Sequence, residues 1–283
     1  ANGAQYRKDI HGFLPEMMQK IYDERTIYKK KMLIAKQEDE KKPTAKLKRD
    51  ISKFNNIQMA RKIQLNSAYG AIGNQYFRYY NLANAEAITL SGQVSIRWIE
   101  QRMNEYLNKL LKTEEEDYVI ASDTDSIYLN LGPLVHSVYK GREKTAESIV
   151  TFLDKVCEVE FEKYIESSYE ALAKYVGAYE QKMVMKRENI ANKGIWTAKK
   201  RYILNVWDSE GVRYEKPKLK IMGIEAVKSS TPAACRNSIR DCLTVIMNED
   251  EAAAQKFVSD FRSHFDQLPI EDISFPRGCN NLN

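Results

Sequence analysis

Residues 118–131 read Tyr-Val-Ile-Ala-Ser-Asp-Thr-Asp-Ser-Ile-Tyr-Leu-Asn-Leu, and they constrain this chain more than any other stretch. Two short apolar, β-rich runs flank a polar Ser-Asp-Thr-Asp-Ser centre. Val119 and Ala121, then Ile127 and Leu129, alternate with the period of two expected of strands with distinct faces. Asp side chains accept hydrogen bonds from backbone donors one or two residues on, so the centre can close a tight turn. The resulting hairpin would carry Asp123 and Asp125 close together on a rigid platform. Two ionised carboxylates so placed repel each other, and a bound divalent cation removes that cost; hard oxygen ligands of this kind suit magnesium. Taken alone, the stretch also reads as an ordinary turn rich in Asp and Ser.

The chain before it reads as helices. A first helix is expected from Leu14 to about Lys36, and the charged residues 38–42 before Pro43 read as an exposed bend. A second helix starts near Thr44 and runs toward Tyr69, giving an antiparallel pair that projects from a core with a basic tip. Near its end, Asn55, Gln58, Lys62, Asn66 and Tyr69 fall at three- and four-residue steps and line one side. Phe54, Ile57, Leu65 and Ala68 fall on another, the expected packed face. Lys62 can neutralise phosphate oxygens, Asn66 can bond to a polar edge, and Tyr69 can stack on a sugar or base. Gly70 lets a flat ligand approach the backbone. From Asn81 to about Lys112 a long helix is expected, with Ala85, Ile88, Gly92, Ile99, Met103 and Leu110 as its core stripe. The acidic run 114–117 reads as a solvated connection, not a metal site.

The string Lys-Ile-Gln-Leu-Asn-Ser-Ala-Tyr-Gly at 62–70, followed after that helix by Asp123-Thr124-Asp125-Ser126, closely resembles two signature motifs of family B replicative DNA polymerases, nearest the T-even phage branch. The resemblance implies an α+β fold: an antiparallel palm sheet packed by helices, a projecting helical-hairpin fingers segment and a helical thumb segment. It implies partial fingers over 1–73, palm over 74–222 and partial thumb over 223–283. Lys62 would contact the incoming triphosphate, and Asn66 and Tyr69 would line the nascent base-pair pocket beside Gly70 and Thr124. Asp125 would be shared by two catalytic Mg²⁺ ions, and Asp123 would be a nearby carboxylate with a looser contact.

Further along, Gly132-Pro133 marks a turn, and about Lys144 to Tyr175 has helical patterning through Ile149, Phe152, Leu153, Val156 and Tyr164. Residues 181–188 alternate as a strand ending in Glu188, a weak candidate for a further acidic group near the metals and otherwise a surface ion pair. A second strand is expected over 200–207. Between them, Lys199, Lys200, Arg201 and Tyr202 place cations beside an aromatic ring, suited to phosphate neutralisation at a duplex edge. They also match the basic-aromatic motif with which the family holds primer-template DNA. A basic strand edge that discourages sheet association is the plainer alternative. Lys218, Lys220, Lys228 and Ser229-Ser230-Thr231 add backbone-binding capacity, and residues 220–225 look like the start of the thumb. Thr231-Pro232 is a good helix start, with Cys235, Ile239, Cys242, Leu243 and Ile246 as an apolar face. Asp250 can cap another helix carrying Phe257, Phe261 and Phe265, stopped at Pro269. The tail from Asp272 reads as part of a larger thumb.

The 283 residues carry a formal charge of +5, mild evidence for an anionic partner. Cys157, Cys235, Cys242 and Cys279 lack metal-finger spacing and read as free thiols in a reducing compartment. No apolar run could span a bilayer, and no secretory leader opens the chain. The implied reaction is attack of a primer 3′-hydroxyl on a deoxynucleoside triphosphate, with primer-template DNA and dNTP as partners in a viral replication complex in bacterial host cytoplasm. The family's upstream metal-binding aspartate has no match within residues 1–61. Both ends are therefore expected to be cuts, and activity is expected only with a complementary N-terminal half, as a second polypeptide or joined covalently. Contact with a sliding clamp would run through a C-terminal segment not included here. A non-catalytic basic DNA-binding module of a replication complex is the alternative of a different class, and an RNA-directed or RNA-making polymerase is disfavoured by the motifs.

Overall fold

Pro43 decides where the first helix stops. In the computed structural model, which describes residues 1–140 and 145–279, α1 (Phe13–Lys41) runs through the charged stretch expected to be a bend. Glu and Lys are good helix formers, so charge alone does not end a helix; a proline, which disfavours helical backbone just before it, does. Thr44 then caps α2 (Ala45–Ile72), its hydroxyl oxygen accepting from the Leu47 amide at 3.1 Å. Glu24 meets Arg61, Tyr28 meets Phe54 and Asp39 meets Thr44, so the two helices are antiparallel.

α3 (Leu82–Leu111) has the expected bounds, with Asn81 capping it through the Asn84 amide and Lys112 left-handed at its end (φ 56°). Its buried line differs from the expected stripe: Ser95, Ile99, Met103 and Leu107 are buried, while Ile88 and Leu110 are exposed. The reason is a change of neighbour along its length. Near its start α3 packs against α2, and further on against α6 and the aspartate hairpin. One helical stripe cannot describe both.

Ile99, Met103 and Leu107 share a core with Tyr118, Val119, Leu134, Cys157, Phe161, Ile165, Tyr169 and Leu172. The expected turn at Gly132-Pro133 is instead the start of α4 (Gly132–Val138), because a proline in the first turn of a helix loses no hydrogen bond. α5 (Ala146–Val156) and α6 (Glu162–Tyr175) are joined by a π-helical turn, Cys157–Phe161; the expected start at Lys144 lies outside the described residues. Leu153, Cys157, Phe161, Ile165 and Tyr169 are buried at every fourth position. On an unbroken α-helix that spacing drifts by about 40° per step. The wider π turn reverses the drift and keeps the five on one face.

Residues 181–188 form no strand, contrary to expectation. The Arg187 amide donates to Glu162 Oε1 at 3.1 Å, and its guanidinium pairs with Asp154 on α5. Helix side chains have taken the partners a ladder would need. These elements, Ala1–Glu188 together with Glu210–Arg213, make up one compact unit.

The second unit is Asn189–Ser209 with the chain from Tyr214 onward. Its sheet has the order β3 (Asn189–Ala198), β4 (Arg201–Ser209), β5 (Val212–Met222). Only β4 was legible beforehand, and the physical reason is burial. As the central strand it is buried without a break from Tyr202 to Val206, whereas β3 and β5 are largely polar and half exposed. Against the sheet lies α7 (Ala233–Asn248), whose Met247, Ile239 and Leu243 meet Ile203, Leu219, Ile221, Ile224 and Ala226. Thr231 does not cap α7: Pro232 occupies the cap position, which puts the hydroxyl one residue too early. Ile246, expected on the apolar face, is exposed. Asp250 caps α8 (Glu251–Phe265) through the Ala253 amide, as expected. Phe257, Phe261 and Phe265 are only half-buried there. Pro269 does not simply end a helix but opens the short α9 (Ile270–Ile273). The last residues of the tail, 280–283, lie outside the described residues. The protein is thus α+β, helical with small antiparallel sheets. No helix among the described residues is long and apolar enough to cross a membrane.

Candidate active site and nucleic-acid interface

The aspartate hairpin forms where the sequence places it. β1 (Val119–Asp123) and β2 (Ser126–Leu129) are antiparallel, with Val119 opposite Leu129, Ser122 opposite Ile127 and Asp123 opposite Ser126. A register shift at Ile120 turns that side chain outward. Thr124 and Asp125 alone make the turn. Thr124 stands at φ 59°, a left-handed conformation that β-branched residues resist at a cost of about 1–3 kcal/mol. Three hydrogen bonds hold it there. The Asp125 amide donates to the Asp123 carbonyl at 2.7 Å, the Thr124 hydroxyl to Asp123 Oδ1 at 2.9 Å, and the Ser126 hydroxyl to the Asp123 carbonyl at 3.1 Å. Asp123 is half-buried and Asp125 exposed. The buried Tyr169 phenol is pushed up by burial and then by the Asp125 charge, which places that carboxylate near α6.

What anchors the hairpin was missed from sequence. Asn104 Oδ1 accepts from the amides of both Tyr118 and Val119 at 2.9 Å, while its Nδ2 donates to Asp117 at 2.8 Å. One turn on, Asn108 Nδ2 donates to the Glu116 carbonyl at 2.7 Å, and its Oδ1 accepts from the Glu116 amide at 3.0 Å. Two amides four residues apart on α3 thus hold the exposed run 114–117 and the first residue of β1. The available signal was that pair, Asn104 and Asn108, one turn apart near the end of α3. The acidic run itself is solvated, as expected.

As a donor set, Asp123 and Asp125 suit a hard divalent cation: two carboxylates with one residue between them, one of them exposed. They fill only part of a coordination shell. Among the described residues no three of His, Cys, Asp and Glu come together as metal ligands, so Glu188 does not complete a trio with them. Glu188 is exposed at the end of 181–188, its carbonyl accepting from the Glu210 amide at 2.6 Å.

On α2, Lys62, Asn66, Tyr69 and Gly70 are all exposed, and Phe54, Ile57, Leu65 and Ala68 are half-buried, as the spacing implied. Gln58 departs from the polar line: it is buried and donates to Asn55 at 2.9 Å. Arg61, next to Lys62, is held by Glu24 at 2.7 Å. The Lys62 ammonium has no partner among the described residues. A Cβ built on Gly70 would meet nothing within 4 Å, so that helix face is open to a flat ligand.

In the second unit, Lys199 and Lys200 form the two-residue turn between β3 and β4, with Ala198 opposite Arg201 and Lys200 at φ 61°. Both lysines are exposed. Tyr202 is not at the edge: it is 7% exposed, its ring 6.3 Å from that of Trp196. Its ring seats the turn instead of facing outward. Arg201 pairs with Glu225 at 2.5 Å, and Lys228 pairs with the same carboxylate at 3.1 Å. Lys220 is half-buried on β5, and Lys218 lies 4.2 Å from the Tyr214 ring centre.

The two-carboxylate hairpin and the exposed lysine-amide-tyrosine helix face thus belong to the first unit, and the basic β-turn to the second. A family model described as DNA polymerase family B matches residues 3–195. The chain belongs to DNA polymerase family B. It is 35% identical to the DNA-directed DNA polymerase of Escherichia phage RB69 over 99% of its own length and 36% of the relative's. It is 40% identical to that of Enterobacteria phage T4 over 81% of its own length and 26% of the relative's. The DNA polymerase delta catalytic subunit of Candida albicans is 27% identical over 78% of this chain. The chain therefore spans about a quarter to a third of the length of the phage relatives it matches.

Proposed function

We propose that this chain is part of a DNA-templated DNA polymerase, contributing one side of its active site and its grip on primer-template DNA. The observation that carries the reading is the Asp123-Thr124-Asp125 turn, a strained backbone held by its own side chains and anchored through Asn104. Strain of that kind persists where surrounding structure over-determines it, and here it presents two carboxylates. Residues 1–73 would act as partial fingers, 74–222 as palm and 223–283 as partial thumb.

Asp125, with Asp123 beside it, would hold Mg²⁺. When bound, the two ions of such a site lower the proton affinity of the primer 3′-hydroxyl and neutralise charge on the phosphates. The chain's own part is positioning. Lys62 would pair with the triphosphate oxygens of the dNTP, with Asn66 and Tyr69 bordering the base pair and Gly70 and Thr124 keeping backbone close to the nucleotide. Lys199 and Lys200 would take duplex phosphates, with Arg201, Lys220 and Lys228 along the same strands. Glu188 has no part in this reading. The setting would be a viral replication complex in the host cytoplasm.

Two carboxylates from one hairpin leave a two-metal clamp incomplete, so activity should require the preceding part of the polymerase. Primer extension tests this directly, using this chain, the complementary N-terminal half and the two together. Extension by the mixture alone is the expected result, and robust extension by the chain alone would defeat the dependence. In the mixture, Asp125→Asn should abolish extension while duplex affinity stays within about twofold. If extension survives that change, a non-catalytic DNA-binding module is the better account.

A further inference from the structure

We propose that Glu225 is a built-in competitor of the DNA backbone: in the free protein it occupies Arg201 and Lys228, and so limits how tightly and for how long the β3–β4 turn holds duplex. The inference rests on reading that turn as a duplex contact, and it adds an acidic residue to a surface otherwise described by its cations.

The geometry is specific. Glu225 Oε2 meets Arg201 Nη2 at 2.5 Å and Oε1 meets Lys228 Nζ at 3.1 Å, so each carboxylate oxygen takes one cation. Its neighbours on both sides, Ile224 and Ala226, are buried, which turns Glu225 outward from the core between them. Two residues earlier, Gly223 stands at φ 67° with its backbone against the turn. A Cβ there would lie 2.2 Å from the Lys200 carbonyl oxygen. The carboxylate is therefore held at a set distance from the turn by packing and not by the ion pairs.

The energetics favour exchange over permanent pairing. All three side chains are roughly half exposed, and ion pairs in that setting are screened by water and contribute little. A carboxylate held so weakly adds little to the fold. Yet it removes two of the charges available to phosphate in the turn 199–201 and its surroundings. DNA phosphates must displace it to reach those cations, whereas Lys199 and Lys200 lie at the exposed tip. A protein that must release and regain the duplex repeatedly gains from such a partner, because each phosphate contact made without competition slows release and steepens the salt dependence.

The test is duplex binding by the 283-residue chain, using a fluorescently labelled blunt DNA duplex over a range of salt concentrations. Glu225→Gln should bind about fivefold tighter, the equivalent of one exposed ion pair, dissociate more slowly, and steepen the log–log salt slope by about one to two. In an Arg201→Ala, Lys228→Ala background the same change should tighten binding far less. Glu225→Asp keeps the charge with a shorter reach and should fall between; it serves as the second variant if Glu225→Gln melts at a lower temperature. Failure of both variants to tighten binding overturns the proposal. Lys199→Ala with Lys200→Ala separates the two levels. If that pair loses no affinity, the duplex-contact reading falls and the proposal with it. If it loses affinity while Glu225→Gln gains none, only the competitor role falls.

Discussion

The chain contains two hairpins built on the same backbone device and given opposite charge. In each, two residues turn the chain between antiparallel strands, and one non-glycine residue takes a positive φ: Thr124 at 59° in the first, Lys200 at 61° in the second. The acidic turn is held from within, by hydrogen bonds among Asp123, Thr124, Asp125 and Ser126, and from behind by asparagines of α3. The basic turn is held from below, by the backbone of Gly223 and the buried ring of Tyr202. What separates them is how free their charges are. Asp125 is exposed and enters no ion pair among the described residues, whereas Arg201 is already paired with Glu225. The proposed metal site uses an exposed Asp125 beside an Asp123 fixed by its own turn. The proposed duplex contact works with charges that can be exchanged.

Neutralising one charge in each hairpin should separate the two turns most widely. In a mixture with the complementary N-terminal half that the proposal calls for, Asp125→Asn should lower primer extension by about a thousandfold or more, the scale of losing a preorganised electrostatic group. Lys199→Ala should change extension only a few-fold while weakening duplex binding. Equal effects would mean that the two turns do the same work.

The supports should fail differently too. Gly223→Ala forces a Cβ onto the Lys200 carbonyl and strains a positive φ, so a loss on the order of 3 kcal/mol is expected by urea denaturation. Gly177→Ala, also at positive φ but with open space around it, should lose only about 1 kcal/mol. Behind the acidic turn, Asn104→Ala leaves the Tyr118 and Val119 amides without their acceptor and should lose about 2 kcal/mol.

The smallest effect concerns protons. Burial pushes the Cys157 thiol up to about 11 from 9.0, and it also raises Tyr169, with Asp125 adding to that rise. A raised folded-state value means the folded protein holds the proton more tightly. The stability tied to Cys157 is therefore complete below about pH 9 and is lost as pH rises toward 11. The core behind the acidic hairpin should accordingly weaken in alkali, and Cys157→Ser should flatten the decline in a pH series of melts. At neutral pH an alkylating reagent should label exposed Cys279 and leave Cys157 unmodified in the native chain. Asp125→Asn should shift the Tyr169 titration back toward its ordinary range, read by ultraviolet absorbance.

Where the chemistry was local, it was legible beforehand. The turn at Thr124, the cap at Asp250, the antiparallel helix pair closed at Pro43 and the exposed face of Lys62, Asn66 and Tyr69 all follow from residue type and spacing over a few positions. Legibility failed where a partner distant in the chain decided. Residues 181–188 alternate like a strand, but Asp154 and Glu162 claim Arg187. Gln58 sits in a polar row yet is buried. Tyr202 follows three cations, but its position on a central strand turns its ring into the core. Nothing in the spacing of Asn104 and Asn108 says that a hairpin will end against them.

By itself, then, the order of residues determined that this chain is α+β, that it carries an acidic turn and a basic-aromatic segment, and that it belongs to DNA polymerase family B. Tertiary structure alone decided which of those charges stand free and which are already paired. The reason is physical: turns, caps and helix faces are set by interactions a few residues long, whereas burial and ion pairing depend on which distant segment arrives beside each side chain.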